Sequence, residues 1–352
     1  MISEDTAMSI DIQRAIEIIS RFGHLQTDEA EAVMHQIMSG QATEAQIGAY
    51  LMGLRMKGET HEEILGSARA MRANAVRVPT RFNGDLLDTC GTGGDKSGTF
   101  NISTTVAFVA AAAGLRIAKH GNRAATSRCG SADVLAELGV NLDLTPEQVG
   151  HCIDTIGIGF LFAPRLHPAM KHAIGPRRQV GVRTIFNILG PLTNPAGAQR
   201  QLMGVFAPDL TDFLAHVLGA LGSKKAIVVC GYGGLDELTT TGPNRVSIYE
   251  NGSVETLDLD PFDYDLKPAH ISELLGGDPP ENARILRGVL SGEVDGAKHD
   301  VVVLNAGAAL VAGGLCADFR DGIALARETI DSGAALNKLD QLIALTQELA
   351  HA

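Results

Sequence analysis

Apolar residues between positions 11 and 73 recur every three or four residues, which is the spacing of one face of an α-helix. Short polar or Gly-containing segments divide the region, so the pattern predicts four short helices. Pro79 and Gly84 then break the periodicity. We predict a small all-helical domain over residues 1–78, with a contribution from about residues 165–185, where a basic helical stretch could pack back on it. The apolar positions of the four helices are Ile12, Ile16, Ile19, Ala30, Val33, Ile37, Ile47, Leu51, Leu54, Ile64, Ala68 and Met71.

After Pro79, short apolar runs alternate with helical stretches. The runs are "LLDTC", "GLRIA", "QLMGVF" and "AIVVC", and helical patterns follow the first three. Such alternation is typical of an α/β domain whose mostly parallel sheet is flanked by helices. The helical pattern resumes near Pro279 and continues to the end of the chain. The sequence therefore predicts a large α/β domain over residues 79–352.

Composition and charge narrow the functional classes. The residues are 45% hydrophobic and the net charge is −12, which argues against a general role at nucleic acids or membrane surfaces. The longest mostly apolar run, which contains Asn305, is shorter than the ~20 residues of a membrane span. No signal-peptide pattern is present, and the five scattered cysteines are typical of free thiols in a reducing compartment. We expect a cytoplasmic protein that binds neither nucleic acid nor membrane.

A glycine-rich loop, "CGTGGDKSGTFNIST", follows the first predicted strand. Glycine lets backbone N–H groups approach a ligand closely, and phosphate often binds this way. The loop fits neither standard phosphate motif, because Asp95 precedes Lys96 where a P-loop has Gly, and Lys96 occupies a Gly position of the dinucleotide fingerprint. Asn101, Ser103 and Thr104 could cap the next helix or contact an anion. A mobile turn is the alternative interpretation of the loop.

A second polar loop, "KHGNRAATSRCGSAD", follows the next predicted strand. It gathers Lys119, Arg123 and Arg128 in an otherwise acidic chain, and its Asn and Ser side chains add hydrogen-bond donors. Ser131 is expected to cap the helix that follows. Because ligands collect at the carboxyl ends of parallel strands, we interpret this loop as an anion site rather than a solvated loop.

A third loop, "GYGGLDELTT", carries the adjacent carboxylates of Asp236 and Glu237. Paired acids near a phosphate site would repel the ligand unless a cation lay between them. Mg²⁺ typically takes one or two carboxylates and completes its shell with water and phosphate oxygens. Ordinary surface charge is the alternative interpretation of this pair.

Seven motifs in order resemble the anthranilate phosphoribosyltransferase family: "GTGGD", "NIST", "KHGNR", "GSAD", "HPAMKH", "RTIFNILGPLTNP" and "LDE". The resemblance covers essentially the whole chain. It implies that the amine of anthranilate displaces pyrophosphate from carbon 1 of phosphoribosyl pyrophosphate (PRPP), with inversion, as the second step of tryptophan biosynthesis from chorismate. It also implies a Mg²⁺-dependent homodimer with a small helical domain and a large α/β domain.

The resemblance further implies the site residues. Ser103, Asp236 and Glu237 would bind Mg²⁺. Gly91, Asn122 and Arg177 would contact anthranilate. The implied PRPP contacts are Gly91, Gly94, Asp95, Thr99, Asn101, Ile102, Ser103, Thr104, Lys119, His120, Gly121, Asn122, Arg123, Ala124, Ala125, Thr126, Ser127 and Ser131.

The chemistry needs no dedicated acid or base. Departing pyrophosphate leaves an oxocarbenium-like ribose, so the catalyst must neutralise the leaving group and position the amine. The aromatic amine is already unprotonated at neutral pH. We therefore assign no residue as a general base, and this includes His120.

One departure from the family pattern concerns the implied anthranilate ligand. The family usually has Pro-Val-Arg at this position, whereas this chain has Gly175-Pro176-Arg177, which leaves the register between Arg177 and Arg178 open. Surface charge on a helix is the alternative interpretation of these arginines.

Two other functions are alternatives to phosphoribosyl transfer. A pyrimidine nucleoside phosphorylase shares the general fold and attacks the same ribose carbon, but "NIST" and "GPLTNP" match the transferase better. A non-catalytic relative that binds nucleic acid fits poorly with the net charge of −12 and the intact acidic pair.

Overall fold

The four helices predicted at the start of the chain are present, and their apolar positions are buried except for Ile16, which is half-buried. In chain order the helices are α1 (Ile12–Ser20), α2 (Thr27–Met38), α3 (Glu44–Lys57), α4 (His61–Asn74), α5 (Ile102–Ala112), α6 (Ser131–Glu137), α7 (Pro146–Ile156), α8 (Ala163–Leu166), α9 (Lys171–Val180), α10 (Phe186–Leu189), α11 (Asp209–Ala220), α12 (Pro279–Leu290), α13 (Ala297–Ala312), α14 (Phe319–Asp331) and α15 (Ala334–Ala350). The strands are β1 (Leu86–Gly91), β2 (Arg116–Gly121), β3 (Ile158–Phe162), β4 (Arg200–Gly204), β5 (Lys225–Cys230), β6 (Asn244–Glu250) and β7 (Ser253–Leu259).

The computed structural model describes residues 10–95, 97–124 and 127–351. They fall into two units. The helical unit comprises the residues up to Val76 together with His167–Thr193, and the sheet unit comprises Arg77–Leu166 together with the residues from Asn194 onward.

Local sequence signals begin the helices of the helical unit. Thr43 and Thr60 are the N-caps of α3 and α4, and each side chain accepts a hydrogen bond from the backbone N–H three residues later. Gln46 and Glu63 bond back to the N-cap N–H groups, which completes a capping box at each helix. In the same unit, α9 packs against α3.

The sheet unit contains seven strands in the order β3-β2-β1-β4-β5-β6-β7. The first five strands in this order are parallel, which confirms the predicted α/β architecture, and the last two add antiparallel edges. A turn at Asn251 (φ 52°) and Gly252 (φ 83°) joins β6 to β7. Positive φ at both central residues is typical of the type I′ turns that favour Asn-Gly in hairpins.

The core of the sheet unit is built around α13 and α5. Every residue from 301 to 312 of α13 is buried, and this helix packs against α5 and α14. Asn305 is a fully buried polar residue in this otherwise apolar run. Within the described parts of the chain, no helix combines the length and apolar character that crossing a membrane would require.

Candidate active site

The carboxyl ends of β1 and β4 form a crevice, because the chain places β2 on one side of β1 and β4 on the other. Gly91 ends β1 and pairs with Gly204, which ends β4. A Cβ on Gly91 would lie 2.5 Å from Oδ2 of Asp236, and a Cβ on Gly204 would overlap the carbonyl oxygen of Asp236. Glycine at both strand ends therefore lets the third loop lie directly over the crevice, where open α/β sheets bind ligands.

Backbone amides of the first loop and of α5 hold both carboxylates of the acidic pair. The N–H of Gly93 donates to Oδ2 of Asp236 over 2.6 Å. The N–H of Ser103, in the first turn of α5, donates to Oε1 of Glu237 over 3.0 Å. The structure thus brings together Ser103, Asp236 and Glu237, the three residues implied as metal ligands.

The electrostatics of the acidic pair favour a bound cation. Burial raises the pKa of Asp236, and the charge of Asp95 raises it further. Burial also raises the pKa of Glu237, with a further increase from Asp236 and an opposing effect of Lys119. A divalent cation would relieve this repulsion, so the oxygen donors fit Mg²⁺.

The described side chains do not complete a metal shell by themselves. Over residues 10–95, 97–124 and 127–351, no group of three or more His, Cys, Asp or Glu side chains converges on one point. Mg²⁺ typically takes one or two protein carboxylates and keeps water and substrate phosphates as its remaining ligands.

Lys119 supplies a buried positive charge beside this site. It is 2% exposed, and its Nζ donates to the carbonyl of Thr89 over 2.5 Å and lies 3.5 Å from Oγ of Ser103. Burial lowers the pKa of Lys119, while the charge of Asp88 opposes that change. The ammonium therefore lies at the start of α5, near the positive end of the helix dipole.

The backbone pairing of β1 with β2 ends just before Lys119. The last paired residues are Leu87 and Ile117, whereas β2 continues to pair with β3 as far as Gly121. Beyond that point a side chain bonds to the backbone of β2: Oδ1 of Asp88 accepts the N–H of His120 over 3.1 Å. Sequence reasoning did not assign Asp88 a role.

Asn194 also bonds to this part of β1 and β2. Its Nδ2 donates to Oδ2 of Asp88 and to the carbonyl of Ala118, both over 2.8 Å. Asp88 and Asn194 thereby pair with the backbone on either side of Lys119. Asn194 was also missed, although a buried Asn in the "GPLTNP" motif needs hydrogen-bond partners and so carries a signal.

Asp133, in the first turn of α6, organises the second loop. Its Oδ2 accepts the N–H of Ala124 over 2.8 Å and that of Gly130 over 2.9 Å. Its Oδ1 pairs with the guanidinium of Arg123 at 2.9 Å, and the Arg123 side chain is 58% exposed. Part of the predicted positive charge is thus neutralised within the loop itself.

The expected capping role of Ser131 is wrong. Gly130 is the N-cap of α6 and Ser131 is the first helical residue. The Ser131 hydroxyl instead accepts the N–H of Asn122 over 3.2 Å and donates to its carbonyl over 3.3 Å. It therefore closes the second loop rather than the helix end.

The remaining implied contacts of the second loop lie at its surface. Asn122, Ser127 and Arg128 are exposed, and Gly121 and Ala124 are half-buried. His120 is buried at the end of β2. Ala125 and Thr126, and Lys96 of the first loop, lie outside the described residues.

In the first loop, Asn101 occupies the N-cap position of α5 without a capping hydrogen bond, so the capping interpretation is wrong for this residue. Its Nδ2 donates to the carbonyl of Cys129 over 3.3 Å, and its Oδ1 accepts from Asn282 over 2.9 Å. Asn101 therefore joins the first loop to the second. The side chains of Ile102 and Thr104 are buried, which leaves only their backbone groups for a ligand.

Local hydrogen bonds join other described residues of the first loop. Gly94 has φ 77°, which favours glycine. Oδ1 of Asp95 accepts the N–H of Ser97 over 3.2 Å, and Oγ of Ser97 accepts the N–H of Thr99 over 3.4 Å. These bonds shape the loop without using both oxygens of Asp95.

Arg177 belongs to the helical unit, whereas the acidic pair belongs to the sheet unit. It lies on α9 beside buried Pro176 and is half-buried, while Arg178 is exposed. Its guanidinium lies 5.9 Å from the centre of the Phe186 ring. Burial lowers the pKa of Arg177, so this cation has lost part of its hydration.

Two family models together match most of the chain. The one described as "Glycosyl transferase family, helical bundle domain" matches residues 13–75, and "Glycosyl transferase family, a/b domain" matches residues 83–336. An anthranilate phosphoribosyltransferase from Geobacter sp. (strain M21) is 53% identical over 350 residues, which cover 96% of this chain and 99% of the relative.

Solved structures agree with these matches. A crystal structure of anthranilate phosphoribosyltransferase from Thermus thermophilus aligns with a TM-score of 0.90 at 44% identity, over 95% of this chain and 99% of that chain. The Saccharomyces cerevisiae enzyme, in complex with PRPP and Mg, aligns with a TM-score of 0.87 at 28% identity, over 96% and 98% of the two chains.

Proposed function

Because the chain belongs to the anthranilate phosphoribosyltransferase family, we propose that it transfers the phosphoribosyl group of PRPP to the amine of anthranilate. The products are N-(5-phosphoribosyl)anthranilate and pyrophosphate, and the reaction is the second step of tryptophan biosynthesis from chorismate. One observation of the structure carries this conclusion. The acidic pair lies over the crevice between β1 and β4 and is held by amides of the first loop and of α5.

The bond changes balance without a protein-derived base. The amine nitrogen forms a bond to carbon 1 of the ribose as the bond from that carbon to pyrophosphate breaks. The aromatic amine then releases a proton to solvent. The chain must therefore bind the two substrates in line and stabilise the charge of the leaving group.

Ser103, Asp236 and Glu237 are the proposed Mg²⁺ ligands. Bound Mg²⁺ would supply charge neutralisation at the leaving pyrophosphate. Burial raises the pKa of both carboxylates and neighbouring negative charges raise it further, so a bound cation would stabilise their ionised forms, which supports this assignment. The yeast relative in complex with PRPP and Mg supports the choice of metal.

The PRPP contacts proposed for this chain are those implied by the two glycine-bearing loops. Lys119 would hold a phosphate through its ammonium, and the positive end of the α5 dipole would favour the same negative charge. The exposed rim at Asn122 and Ser127 leaves donors available to a ligand. His120 remains without an acid–base role, since the reaction needs none.

Arg177 is the proposed ligand of the anthranilate carboxylate, together with contacts from Gly91 and Asn122. Its half-buried position supports this choice over exposed Arg178. A partly dehydrated guanidinium gains most from a carboxylate, which it can pair with through two parallel hydrogen bonds.

We also propose that the chain acts as a cytoplasmic homodimer with a helical domain over residues 1–78, joined by about residues 165–185, and an α/β domain over 79–352. The family resemblance supports the dimer and its location. The two units and the ranges matched by the family models support the domain division.

Product identification tests the proposed function. The protein is incubated with PRPP, anthranilate and Mg²⁺, and in parallel with a pyrimidine nucleoside and inorganic phosphate. We expect phosphoribosylated anthranilate in the first reaction and no free base in the second. Phosphorolysis without transfer would favour the nucleoside phosphorylase, and salt-dependent DNA binding without either reaction would favour the nucleic-acid-binding relative.

A further inference from the structure

The backbone that follows the acidic pair is held by asparagine side chains instead of a neighbouring strand. Leu238 comes directly after Glu237 and lies outside the seven strands. Oδ1 of Asn305 accepts the N–H of Leu238 over 2.9 Å, and its Nδ2 donates to the carbonyl of Leu238 over 2.8 Å. One amide thus pairs with both backbone groups of one residue.

The next residue is held in the same way by a second asparagine. Oδ1 of Asn244 accepts the N–H of Thr239 over 2.7 Å, and its Nδ2 donates to the carbonyl of Thr239 over 3.0 Å. Asn305 comes from α13, whereas Asn244 is the first residue of β6. Side chains of α13 and β6 therefore bond to the backbone of two consecutive residues of the third loop, Leu238 and Thr239.

Because these residues are buried, water cannot replace the hydrogen bonds of the two asparagines. Leu238, Thr239, Asn244 and Asn305 are all 0% exposed. Buried backbone groups without partners cost free energy, so removal of either amide leaves donors and acceptors that water cannot reach. Asn305 also lies in the apolar stretch of α13, where a leucine would otherwise suit the packing.

The hydrogen bond to the N–H of Leu238 acts directly on Glu237. The two residues share a planar peptide unit that runs from the Cα of Glu237 to the Cα of Leu238. Fixing that plane fixes where the side chain of Glu237 starts, and Asp236 is one residue further back.

We propose that Asn305 and Asn244 are positioning residues that hold the acidic pair in its metal-binding place. Both side chains are fully buried and act through the backbone of Leu238 and Thr239. The inference rests on the proposed role of Asp236 and Glu237 as Mg²⁺ ligands. Partners behind metal ligands typically change metal affinity by about 10–100-fold when they are removed.

The test is calorimetric titration of PRPP into the full chain with and without Mg²⁺. Asn305→Leu keeps the number and branching of the side-chain heavy atoms and removes both bonds to Leu238, together with the bond to the carbonyl of Val301. We expect the gain in PRPP affinity that Mg²⁺ provides to fall by about tenfold or more, with PRPP binding in the absence of Mg²⁺ unchanged. Asn244→Ser should weaken the Mg²⁺-dependent gain in the same direction.

A control on the same helix separates positioning from general destabilisation. Leu310→Ala shortens a buried side chain of α13 and should lower the melting temperature, but it should leave the Mg²⁺-dependent gain unchanged. Asn305→Ser replaces the amide with a single hydroxyl on a shorter side chain, which weakens its pairing with the backbone of Leu238. The loss of the Mg²⁺-dependent gain in PRPP affinity should be smaller than in Asn305→Leu. If Asn305→Leu does not fold, Asn305→Ser is the variant to compare with wild type.

The outcomes are distinct. A Mg²⁺-dependent gain equal to wild type in folded Asn305→Leu or Asn305→Ser overturns the positioning role while leaving the proposed function intact. An equal loss in Leu310→Ala also overturns it. Absence of any Mg²⁺-dependent gain in the wild-type protein overturns the proposed metal site and this inference with it.

Discussion

The Cα of Gly204 lies so close to the backbone of Asp236 that a side chain at position 204 would overlap the carbonyl oxygen of Asp236. The end of β4 and the acidic loop are therefore in direct backbone contact, and the position of one determines that of the other.

We predict that Gly204→Ala displaces Asp236 and lowers kcat/KM for PRPP on the order of a hundredfold, since small misplacements of a reacting group are that costly. Gly48→Ala, in the middle of α3, is the matched control. Its new methyl would meet a Val180 methyl at 3.8 Å, an ordinary contact, and should leave activity unchanged. Steady-state kinetics of both variants check the prediction, and normal turnover by Gly204→Ala would show that the loop adjusts freely.

Arg177→Ala should raise the KM for anthranilate roughly ten- to a hundredfold, because loss of a charge-assisted hydrogen bond costs about 1.5–3 kcal/mol. The KM for PRPP should change much less. Arg178→Ala is the control, since Arg178 is exposed on the same helix. The reverse pattern would place the carboxylate ligand at Arg178, and no effect of either variant would remove α9 from the acceptor site.

PRPP with Mg²⁺ should raise the melting temperature more than anthranilate alone at the same concentration. A ligand bound only to the native state at a hundredfold excess over its Kd stabilises it by about 2.7 kcal/mol. The two glycine-bearing loops offer phosphate contacts that anthranilate lacks. A thermal shift series checks this, and an equal or larger shift with anthranilate alone would contradict the loop assignment.

The helical unit contains a buried ion pair whose loss should be costly. Nζ of Lys57 lies 2.7 Å from Oε2 of Glu63, and the two side chains are 1% and 0% exposed. Glu63→Gln would leave the buried ammonium without its counter-charge, so we expect unfolding free energy to fall by about 3–5 kcal/mol. The same change at Glu17, which pairs with Arg14 at the surface, should lower the unfolding free energy far less. Denaturant titrations of both variants compare the two, and similar losses would contradict the importance of burial.

Much of the fold is predictable from local patterns. The spacing of apolar residues predicts α1 to α4 because each of these helices buries one face. β3 and the hairpin of β6 and β7 do not emerge from the alternation of runs and helices. β3 has only five residues directly after α7, and β7 is partly exposed along its length. The Asn251-Gly252 turn was the local signal for that hairpin.

The candidate site divides in the same way. Glycine-rich stretches and adjacent charges indicate ligand binding by their residue types, so the loops and the acidic pair could be recognised from short stretches of sequence. The residues that hold them could not, because their partners are remote in sequence. Asn194 is 106 residues from Asp88, and Asn305 is 67 residues from Leu238. Asn101 and Ser131 were expected to cap helices because their types favour capping, but contacts with neighbouring segments use their side chains instead.

We propose that the acidic pair, Asp236 and Glu237, holds Mg²⁺ for the transfer of phosphoribose to anthranilate. Asp236→Asn combined with Glu237→Gln should leave the fold intact, because burial and neighbouring negative charges raise the pKa of both carboxyls and neutral amides remove both costs. Glu328→Gln with Asp331→Asn, which removes two exposed charges from α14, is the control.

The decisive measurement is the rate of fluorescent product formation from PRPP and anthranilate as Mg²⁺ is titrated. Wild type and the α14 control should show the same Mg²⁺-dependent turnover, and the Asp236→Asn, Glu237→Gln variant should lose on the order of a hundredfold at limiting Mg²⁺. Near-normal turnover of that variant at limiting Mg²⁺ would contradict the metal assignment, and no product from the wild-type protein would contradict the transfer itself.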